Sequence, residues 1–366
     1  MAAAVGIGRF VYTPILPLMV EDLGMTKGTA GLIASANFAG YLAGALAAAL
    51  PGLPGSRRRW LIVALAMSAL TTAAMAIPSA NAAFLALRFV GGIASAFGLV
   101  FSSALVLDRL SAAGRPGLAA IHFAGVGTGI LISAILATAL SARGWRVLWV
   151  AAGVVSMIAV AIVAAVIPDR PGLVATESPR ASSGGPSLAG LVVAYGLFGF
   201  GYIITATFLV AIVRGSSEVK AVEPVVWMVV GLTAAPSVAV WTFIESRIGI
   251  ERAFALACAV EAIGVAASVV WLEPVGILLA AALLGATFMG ITALGLIWGR
   301  RLAQGDPRKI LAVLTAAFGV GQIIAPTLAG VTYDATGSFL PSSLAAATAL
   351  MVAALLALRR RASPAS

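Results

Sequence analysis

The sequence predicts an all-α polytopic membrane protein that crosses the bilayer about twelve times. Of the 366 residues, 61% are hydrophobic and 10% are charged, with a mean hydropathy of +1.08, whereas soluble domains are about half apolar and a quarter charged. Apolar runs of about 18 to 26 residues recur between charged or Pro/Gly-containing segments, and about 20 apolar residues cross a hydrocarbon core as a helix. These two observations exclude a soluble domain.

The apolar runs form two sets of six, separated by a polar stretch. The first set is Ala2–Val20, Gly28–Leu50, Trp60–Ile77, Ala82–Leu107, Leu118–Leu140 and Val147–Ile167. The second set is Leu188–Val213, Val225–Ile244, Ala253–Leu272, Val275–Trp298, Ile310–Val331 and Leu340–Leu358. We therefore predict an N-terminal bundle over residues 1–168, a cytoplasmic linker over 169–187, and a C-terminal bundle with a short cytoplasmic tail over 188–366. The linker is rich in Ser, Pro, Gly and Arg, which is typical of flexible connections.

The basic residues of the loops predict the orientation. If the N-terminus is cytoplasmic, the inner loops and tail hold 16 Lys and Arg residues and the outer loops hold 5. Acidic loop residues divide evenly, so the asymmetry is the positive-inside bias, and both termini are expected in the cytoplasm. The first run lacks a basic n-region and a small-residue cleavage site, which favours a membrane span over a removable signal peptide.

Arg9 is the first candidate for function, because it lies near the middle of span 1. A charge at that depth costs at least about 3 kcal/mol and is found mainly beside a water-filled cavity or a partner inside the protein. Tyr12 and Thr13 follow at positions i+3 and i+4, so the three project from one helix face. Pro14 and Pro17 are expected to break the regular hydrogen bonding near the outer end of this span.

A second arginine, Arg88, lies well inside span 4. The planar guanidinium suits a carboxylate or phosphate, so two arginines inside the membrane favour an anionic partner if one cavity borders both. The alternative is that either arginine caps backbone carbonyls at a helix break or pairs between helices.

Further polar and aromatic candidates for solute contact lie at helical spacing. Asn37 and Tyr41 in span 2, and Phe318 and Gln322 in span 11, are pairs at i and i+4. Hydrogen bonding between helices would explain the span 2 pair equally well. On span 7, Tyr202 is a further candidate. Tyr195, which shares its face, lies nearer the end of the span and is expected to be an interfacial anchor.

Short motifs spread over the whole chain carry a family resemblance. They are Gly6–Phe10 with Tyr12–Pro14 in span 1, Asn37–Tyr41 in span 2, Leu87–Gly92 in span 4, Gly199–Ile204 in span 7, Phe288–Thr292 in span 10, and Phe318–Gln322 with Pro326 in span 11. With these motifs the chain resembles the major facilitator superfamily (MFS), and within it the YbfB/YjiJ-type branch of bacterial inner-membrane carriers. The resemblance implies a monomer with two six-helix bundles around a central cavity that opens alternately to each side. Spans 1, 4, 7 and 10 would line the cavity, and spans 2, 5, 8 and 11 would form its gates.

The gate motifs of the superfamily are only partly present. The loop between spans 2 and 3, residues 51–59, keeps the basic run but lacks the acid, and span 5 lacks the proline of the antiporter motif. The charged residues at the inner ends of spans 4 and 8 and before span 9 remain as gating candidates: Asp108, Arg109, Glu245, Arg247 and Arg252.

Two residues are candidates for proton coupling. His122, near the start of span 5, is the only side chain here that ordinarily titrates near physiological pH. Glu261 lies in the middle of span 9, where an ionised carboxylate would be costly. The alternatives are a histidine hydrogen-bonded between helices and, for Glu261, the peripheral helix position that the resemblance implies.

These observations predict a secondary active transporter that moves a small organic solute, favouring an anionic group, across the bacterial inner membrane by alternating access with proton coupling. One alternative is an efflux carrier for amphipathic multidrug or metabolite compounds, because aromatic and Met residues line the spans. The other is a non-transporting membrane sensor on a carrier fold. The expected partners are the solute, the lipid bilayer and the coupling ion, without nucleic acid.

Other function classes have little support in the sequence. One Cys and one His exclude a multi-cysteine metal site and a histidine cluster, so we expect neither a metal nor a cofactor. A phosphate-binding P-loop is missing, which disfavours ATP-driven transport. The few intramembrane acids offer no convincing acid–base pair, so an enzyme is not expected.

Overall fold

The computed structural model describes residues 1–50, 53–168, 188–303 and 307–359, and the regular structure of these residues is helical. Its long helices are α1 (Ala2–Leu23), α2 (Lys27–Ala48), α3 (Arg57–Ala74), α4 (Asn81–Ala112), α5 (Ala119–Leu140), α6 (Trp145–Val166), α7 (Leu188–Gly215), α8 (Glu223–Ile248), α9 (Ile250–Val270), α10 (Pro274–Leu302), α11 (Pro307–Thr336) and α12 (Leu340–Leu358). Within the described residues, 11 helices are long and apolar enough to cross a membrane. The remaining long helix, α3, begins with three arginines. The predicted linker over 169–187 lies outside the described residues.

The observed helices confirm the predicted spans, with shifts at their ends. The largest are in α4, which continues to Ala112, and in α11, which continues to Thr336, each five residues beyond the predicted end of its span. The irregular part of α1 extends further toward its start than the two prolines predicted. Its first six residues are π-helical, a turn lies at Val11, and the α-helix from Tyr12 runs on through Pro14 and Pro17. A proline clashes with the carbonyl four residues earlier, so the distortion falls in the preceding turn.

The helices pack as two six-helix bundles with corresponding contacts. In the N-terminal half α4 packs against α2 and α3, α6 against α3, and α5 against α1. The C-terminal half repeats these contacts, because α10 packs against α8 and α9, α12 against α9, and α11 against α7. The two halves meet along α2 with α11 and α5 with α8, and more sparsely along α1 with α7. This repeat is the arrangement expected of two related bundles.

Small residues bring the backbones of the two halves close together. A methyl group at Gly31 of α2 would lie 2.7 Å from the carbonyl carbon of Pro326 on α11. A methyl group at Gly127 of α5 would lie 2.6 Å from the carbonyl oxygen of Gly231 on α8. Membrane helices associate through such close packing because lipid offers no hydrophobic driving force between them. Both main interfaces therefore depend on residues without a side chain.

Candidate functional site

A cavity of about 290 Å³ lies between the two halves. Residues of α1, α2, α4 and α5 line it on one side, and residues of α7, α10 and α11 line it on the other. Ala49 and Leu311, which lie just after the end of α2 and near the start of α11, are among its lining residues. The cavity therefore reaches the end of the bundle at which α1 begins and α2 ends, which we call the open end. The opposite end, at which α1 ends and α2 begins, is the closed end.

Four of the predicted solute-contact residues line this cavity: Arg9, Tyr41, Tyr202 and Phe318. The other aromatic lining residues are Phe10, Phe123, Tyr195 and Phe288. The expectation that Tyr195 anchors the helix at the membrane interface was wrong. The side chain is buried, and its hydroxyl donates a hydrogen bond to the Thr292 carbonyl at 3.1 Å.

Arg9 is the positive charge of the cavity. Its guanidinium carbon lies 4.5 Å from the ring centre of Tyr41 and 4.6 Å from that of Phe38, both on α2, and 5.6 Å from that of Phe10. Aromatic faces attract a cation at such distances. Within the described residues, the buried Nε and Nη2 atoms of Arg9 have no hydrogen-bond partner, and no Asp or Glu lines the cavity. The guanidinium therefore has donors available for an anion.

The C-terminal half contributes an aromatic wall, which consists of Tyr202, Phe288 and Phe318. The Tyr202 ring is within 7° of parallel to both phenylalanine rings, at 5.7 Å from Phe288 and 5.9 Å from Phe318. Gln322, one turn beyond Phe318, lies behind this wall, where its Nε2 donates a hydrogen bond to the Tyr202 hydroxyl. Gln322 thus orients a cavity residue without lining the cavity itself.

Arg88 and Asn37 connect α4 to its neighbours. Arg88 is buried, and its Nη1 and Nη2 donate to the carbonyls of Gly8 and Arg9, each at 3.2 Å, beside the irregular turn of α1. Asn37 donates to the Arg88 carbonyl at 2.9 Å. Neither residue lines the cavity. These contacts match the alternative in which a buried arginine caps carbonyls at a helix break, although a role for Arg88 in solute binding stays a prediction.

Tyr12 and Thr13 also bond to backbone carbonyls outside the cavity. The Tyr12 hydroxyl donates to the Ala30 carbonyl on α2 at 2.8 Å. The Thr13 hydroxyl donates at 2.6 Å to the Ala206 carbonyl on α7, which belongs to the other half. In this conformation Thr13 therefore joins the two halves.

The closed end is held by polar contacts between the halves. The Asp334 carboxylate of α11 accepts hydrogen bonds from the backbone N–H groups of Lys27 at 2.9 Å and Gly28 at 2.7 Å. A carboxylate at a helix N-terminus is stabilised by the helix dipole. Arg214 at the end of α7 pairs with Glu21 of α1 at 3.2 Å. Among the described residues, the side-chain hydrogen bonds and ion pairs between the halves lie in the middle of the bundle or at this end.

The predicted gating residues lie at the open end. Asp108 pairs with Arg57 at 2.6 Å, and Arg109 donates to the Pro168 carbonyl at 3.2 Å, in both cases within the N-terminal half. In the C-terminal half, Glu245 pairs with Arg301 at 2.7 Å. The two remaining candidates are Arg247, which lies 5.0 Å from the Phe243 ring, and Arg252, which is exposed. Within the described residues, none of these contacts joins the halves, and the gating role stays a prediction.

The two candidates for proton coupling have different surroundings. The His122 Nε2 lies 3.3 Å from the Ser103 hydroxyl of α4, outside the cavity. Glu261 is fully buried, and in the described part of the chain neither of its carboxylate oxygens has a hydrogen-bond partner. It does not lie on a lipid-exposed surface, because α9 packs against α7, α10 and α12.

Sequence reasoning missed part of the cavity and the whole closed end. Phe288, Met289 and Thr292 line the cavity and belong to the span 10 motif, on a helix that the resemblance placed at the cavity. That signal was available in the sequence. Asp334 and Arg214 carried no comparable signal, because each is an ordinary charged residue at the end of a span.

Comparisons with known proteins agree with the predicted fold. A profile of the family described as uncharacterised MFS-type transporter YbfB matches residues 1–358. The solved structure of the nucleoside transporter NupG has a TM-score of 0.72 at 13% identity, over 98% of this chain and 96% of that chain. A point mutant of NupG has a TM-score of 0.74 at 15% identity, over 98% of both chains.

A third structure is a bacterial homologue of the human lysosomal transporter Spinster, in an inward-facing and unoccupied conformation. It has a TM-score of 0.71 at 14% identity, over 97% of this chain and 94% of that chain. At these identities the likeness concerns the fold alone. No curated protein sequence matches the chain.

Proposed function

The chain belongs to the family of the MFS-type transporter YbfB, and on that premise we propose that it carries a small organic solute with an anionic group. It is a multi-pass membrane transporter of a small molecule. The observation that supports an anion is Arg9, which lines a cavity without acidic residues and whose buried Nε and Nη2 atoms have no hydrogen-bond partner among the described residues. Donors to a charged acceptor form the stronger class of hydrogen bonds, and a guanidinium can bind a carboxylate with two of them.

The cost of burying Arg9 supports the same proposal. An arginine in the bilayer core costs about 3 kcal/mol or more, and aromatic contacts offset that cost by about 0.5–2 kcal/mol each without supplying hydrogen-bond acceptors for Nε and Nη2. A bound anion would satisfy the remaining donors. Arg88 differs, because its two Nη atoms already donate to backbone carbonyls. We therefore assign solute binding to Arg9 and treat Arg88 as the residue that supports α1.

The distribution of contacts between the halves supports alternating access. The halves are joined at the closed end and separated by the cavity at the open end. We propose that the transporter lies in the bacterial inner membrane as a monomer with both termini in the cytoplasm, so that the open end faces inward. The bundles over 1–168 and 188–366 would then rock against each other. The predicted gating residues at the open end would pair across the halves in the opposite conformation.

We propose proton coupling through Glu261, with His122 as a second candidate. An ionised carboxylate without a partner costs several kcal/mol in a dry interior, so Glu261 carries a proton in this conformation. The groups close enough to interact with it electrostatically are Tyr202 on α7, Thr287 on α10 and Cys258 on its own helix. The neighbouring α12, residues 340–358, has no titratable side chain. Because Tyr202 lines the cavity, Glu261 is linked electrostatically to a solute-contact residue.

A thermal-shift screen of the purified protein tests the anion proposal. Small carboxylates, a neutral nucleoside and an apolar cation are compared on the native protein and on Arg9→Gln, Arg9→Lys and the control Arg57→Gln, which removes an exposed arginine outside the cavity. A ligand of the folded state adds about 2.7 kcal/mol at a hundredfold excess over its Kd. We expect carboxylates to stabilise the native protein and the Arg57→Gln variant equally. They should stabilise Arg9→Lys more weakly and should have no effect on Arg9→Gln.

The screen also decides between the anion carrier and efflux of amphipathic compounds. The mostly apolar and aromatic lining of the cavity favours efflux as the second candidate. In that case the apolar cation would stabilise the protein, and the effect would survive Arg9→Gln. One structural neighbour transports nucleosides, which are neutral. Stabilisation of both the native protein and Arg9→Gln by the nucleoside would therefore likewise overturn the anion proposal.

The coupling proposal is tested through the pH dependence of solute affinity. If Glu261 takes up or releases a proton when the solute binds, the affinity of a stabilising carboxylate changes with pH. The Glu261→Gln variant should lose that pH dependence. His122→Gln is the matched variant in the other half. An unchanged pH profile in Glu261→Gln, with a flat profile in His122→Gln, would assign coupling to the histidine.

A further inference from the structure

The aromatic wall offers more than a general apolar surface. Its three rings come from different helices, Tyr202 from α7, Phe288 from α10 and Phe318 from α11, yet they are nearly parallel. Stacked neighbours fix their planes, because Phe198 lies 5.1 Å from Tyr202 and 5.4 Å from Phe318. All three rings of the wall line the cavity, whereas Phe198 does not. At these separations parallel rings are offset-stacked and not coplanar, so the wall is a preformed stack of aligned rings, to which a further flat ring can add in the same offset geometry.

Tyr202 adds a polar group to this wall. Its hydroxyl oxygen accepts the hydrogen bond from Gln322, so its own proton stays available, and within the described residues no acceptor takes that proton. The Arg9 guanidinium is close enough to interact electrostatically with this hydroxyl. An arginine of one half and a phenol of the other thus offer donors to the same region. Both residues line the same cavity, and a carboxylate can accept hydrogen bonds from both.

The size and charge of the cavity limit the solute. An apolar cavity of about 150 Å³ holds benzene, so about 290 Å³ accommodates one aromatic ring with a carboxylate. Arg9 is the single charged residue among the described residues that line the cavity. A second negative charge on the solute would have no partner there.

Resting on the proposed anion transport, we infer that the solutes are planar aromatic monoanions of about the size of benzoate. The carboxylate lies between Arg9 and the Tyr202 hydroxyl, and the ring packs against the wall of Tyr202, Phe288 and Phe318. Within this class we expect aromatic rings to bind better than saturated rings, because a flat ring can continue the aligned stack of the wall whereas a puckered ring only buries apolar area.

Matched probes test this inference on the native protein. Benzoate and cyclohexanecarboxylate carry the same charge and the same number of carbons but differ in planarity, and benzamide is planar and neutral. The Kd of each is measured by thermal shift. Stacking contributes beyond area burial, so we expect the Kd of benzoate to be about threefold to tenfold lower than that of cyclohexanecarboxylate. Binding of benzamide should be undetectable.

A pair of variants assigns the preference to the wall. Phe318→Leu removes one ring of the wall, and Phe208→Leu removes a buried ring on α7 that packs against Phe339, away from the cavity. We expect the ratio of the two Kd values to fall toward one in Phe318→Leu and to stay unchanged in Phe208→Leu. The comparison of probes on the native protein does not depend on either variant folding.

The outcomes separate this inference from the proposed function. Equal affinity for benzoate and cyclohexanecarboxylate, with loss of both in Arg9→Gln, would overturn the aromatic preference and leave anion transport standing. Equal affinity for benzoate and benzamide would overturn the anion proposal. If none of the carboxylates binds, both fail.

Discussion

Replacing Gly31 with alanine should loosen the closed end. The new methyl group would lie 2.7 Å from the carbonyl carbon of Pro326, whereas carbon atoms pack at about 3.5–4.0 Å, so α2 and α11 must separate by roughly 1 Å. The neighbouring atoms belong to the backbone and cannot rotate away. The separation also lengthens the hydrogen bond between Ser35 and Thr327, 2.8 Å in the native protein and one turn along the same interface.

The effect can be estimated as a shift between two conformations. Overpacking of a tight interface costs about 1–3 kcal/mol. Here the substitution destabilises only the conformation in which the closed end is shut, because Gly31 and Pro326 are in contact only in that conformation. A shift of 1–3 kcal/mol raises the population of the opened form about 5- to 150-fold while that form remains minor.

A buried cysteine measures this population. Val210 is 3% exposed, near the end of α7 at the closed end, and Val210→Cys is introduced into a Cys258→Ala background. Its reaction with a maleimide is then proportional to the opened population. The control is Gly215→Ala, because a methyl group at Gly215 would meet nothing within 4 Å. A second control measures the labelling of the native Cys258, which is fully buried and reacts only when the protein unfolds more widely.

Two labelling results would contradict this prediction. If Gly31→Ala and Gly215→Ala label at rates within twofold of each other, the contact between α2 and α11 does not hold the closed end shut. If Cys258 labels faster as well, the substitution has unfolded the protein instead of shifting its conformation.

Three further predictions concern charged residues. Asp334→Asn weakens the contact with the N-terminus of α2, so labelling of the same reporter should rise about twofold to fivefold, from a dipole interaction of about 0.3–1 kcal/mol; Asp108→Asn at the open end should not raise the rate, and an equal rise in both variants would contradict the assignment of the closed end. Arg88→Met leaves two backbone carbonyls of α1 without their donors, which should lower the free energy of unfolding by about 1–3 kcal/mol; an unchanged melting temperature would mean that water satisfies them. Arg57→Gln removes an exposed ion pair with Asp108, and a loss above about 1 kcal/mol in the same melt would be inconsistent with its exposure.

Much of the fold could be predicted because membrane spans are recognisable from the composition and length of their apolar runs. The same physics predicted Arg9, since a charge in the first span requires a special environment. Tyr41 and Phe318 followed from helical spacing, and both line the cavity. In each case the signal is local in the sequence.

The remainder depends on contacts that the sequence does not encode locally. Arg88 could bind a solute or cap carbonyls, and its partners lie 79 and 80 positions away on α1. The direction in which Glu261 points could not be predicted either, because apolar residues surround it on every face of α9, so that no polar stripe marks the inner side. Asp334 meets Lys27 across 307 positions. Such pairs become visible only when the two halves are assembled.

The dependence of α1 on Arg88 has a consequence for biosynthesis. When α1 leaves the ribosome it carries Arg9 and an irregular turn, while the donors for its Gly8 and Arg9 carbonyls are about 80 residues from being synthesised. Insertion of a span with a central arginine is unfavourable by about 2.5–3.5 kcal/mol for the charge alone, and Phe38 and Tyr41, which surround that charge, belong to the next span. Alone in lipid, α1 would therefore lack the partners of its arginine and of these two carbonyls. We therefore expect its stable entry into the membrane to depend on the arrival of α2 and α4, so that these three helices and not α1 alone form the smallest stable unit.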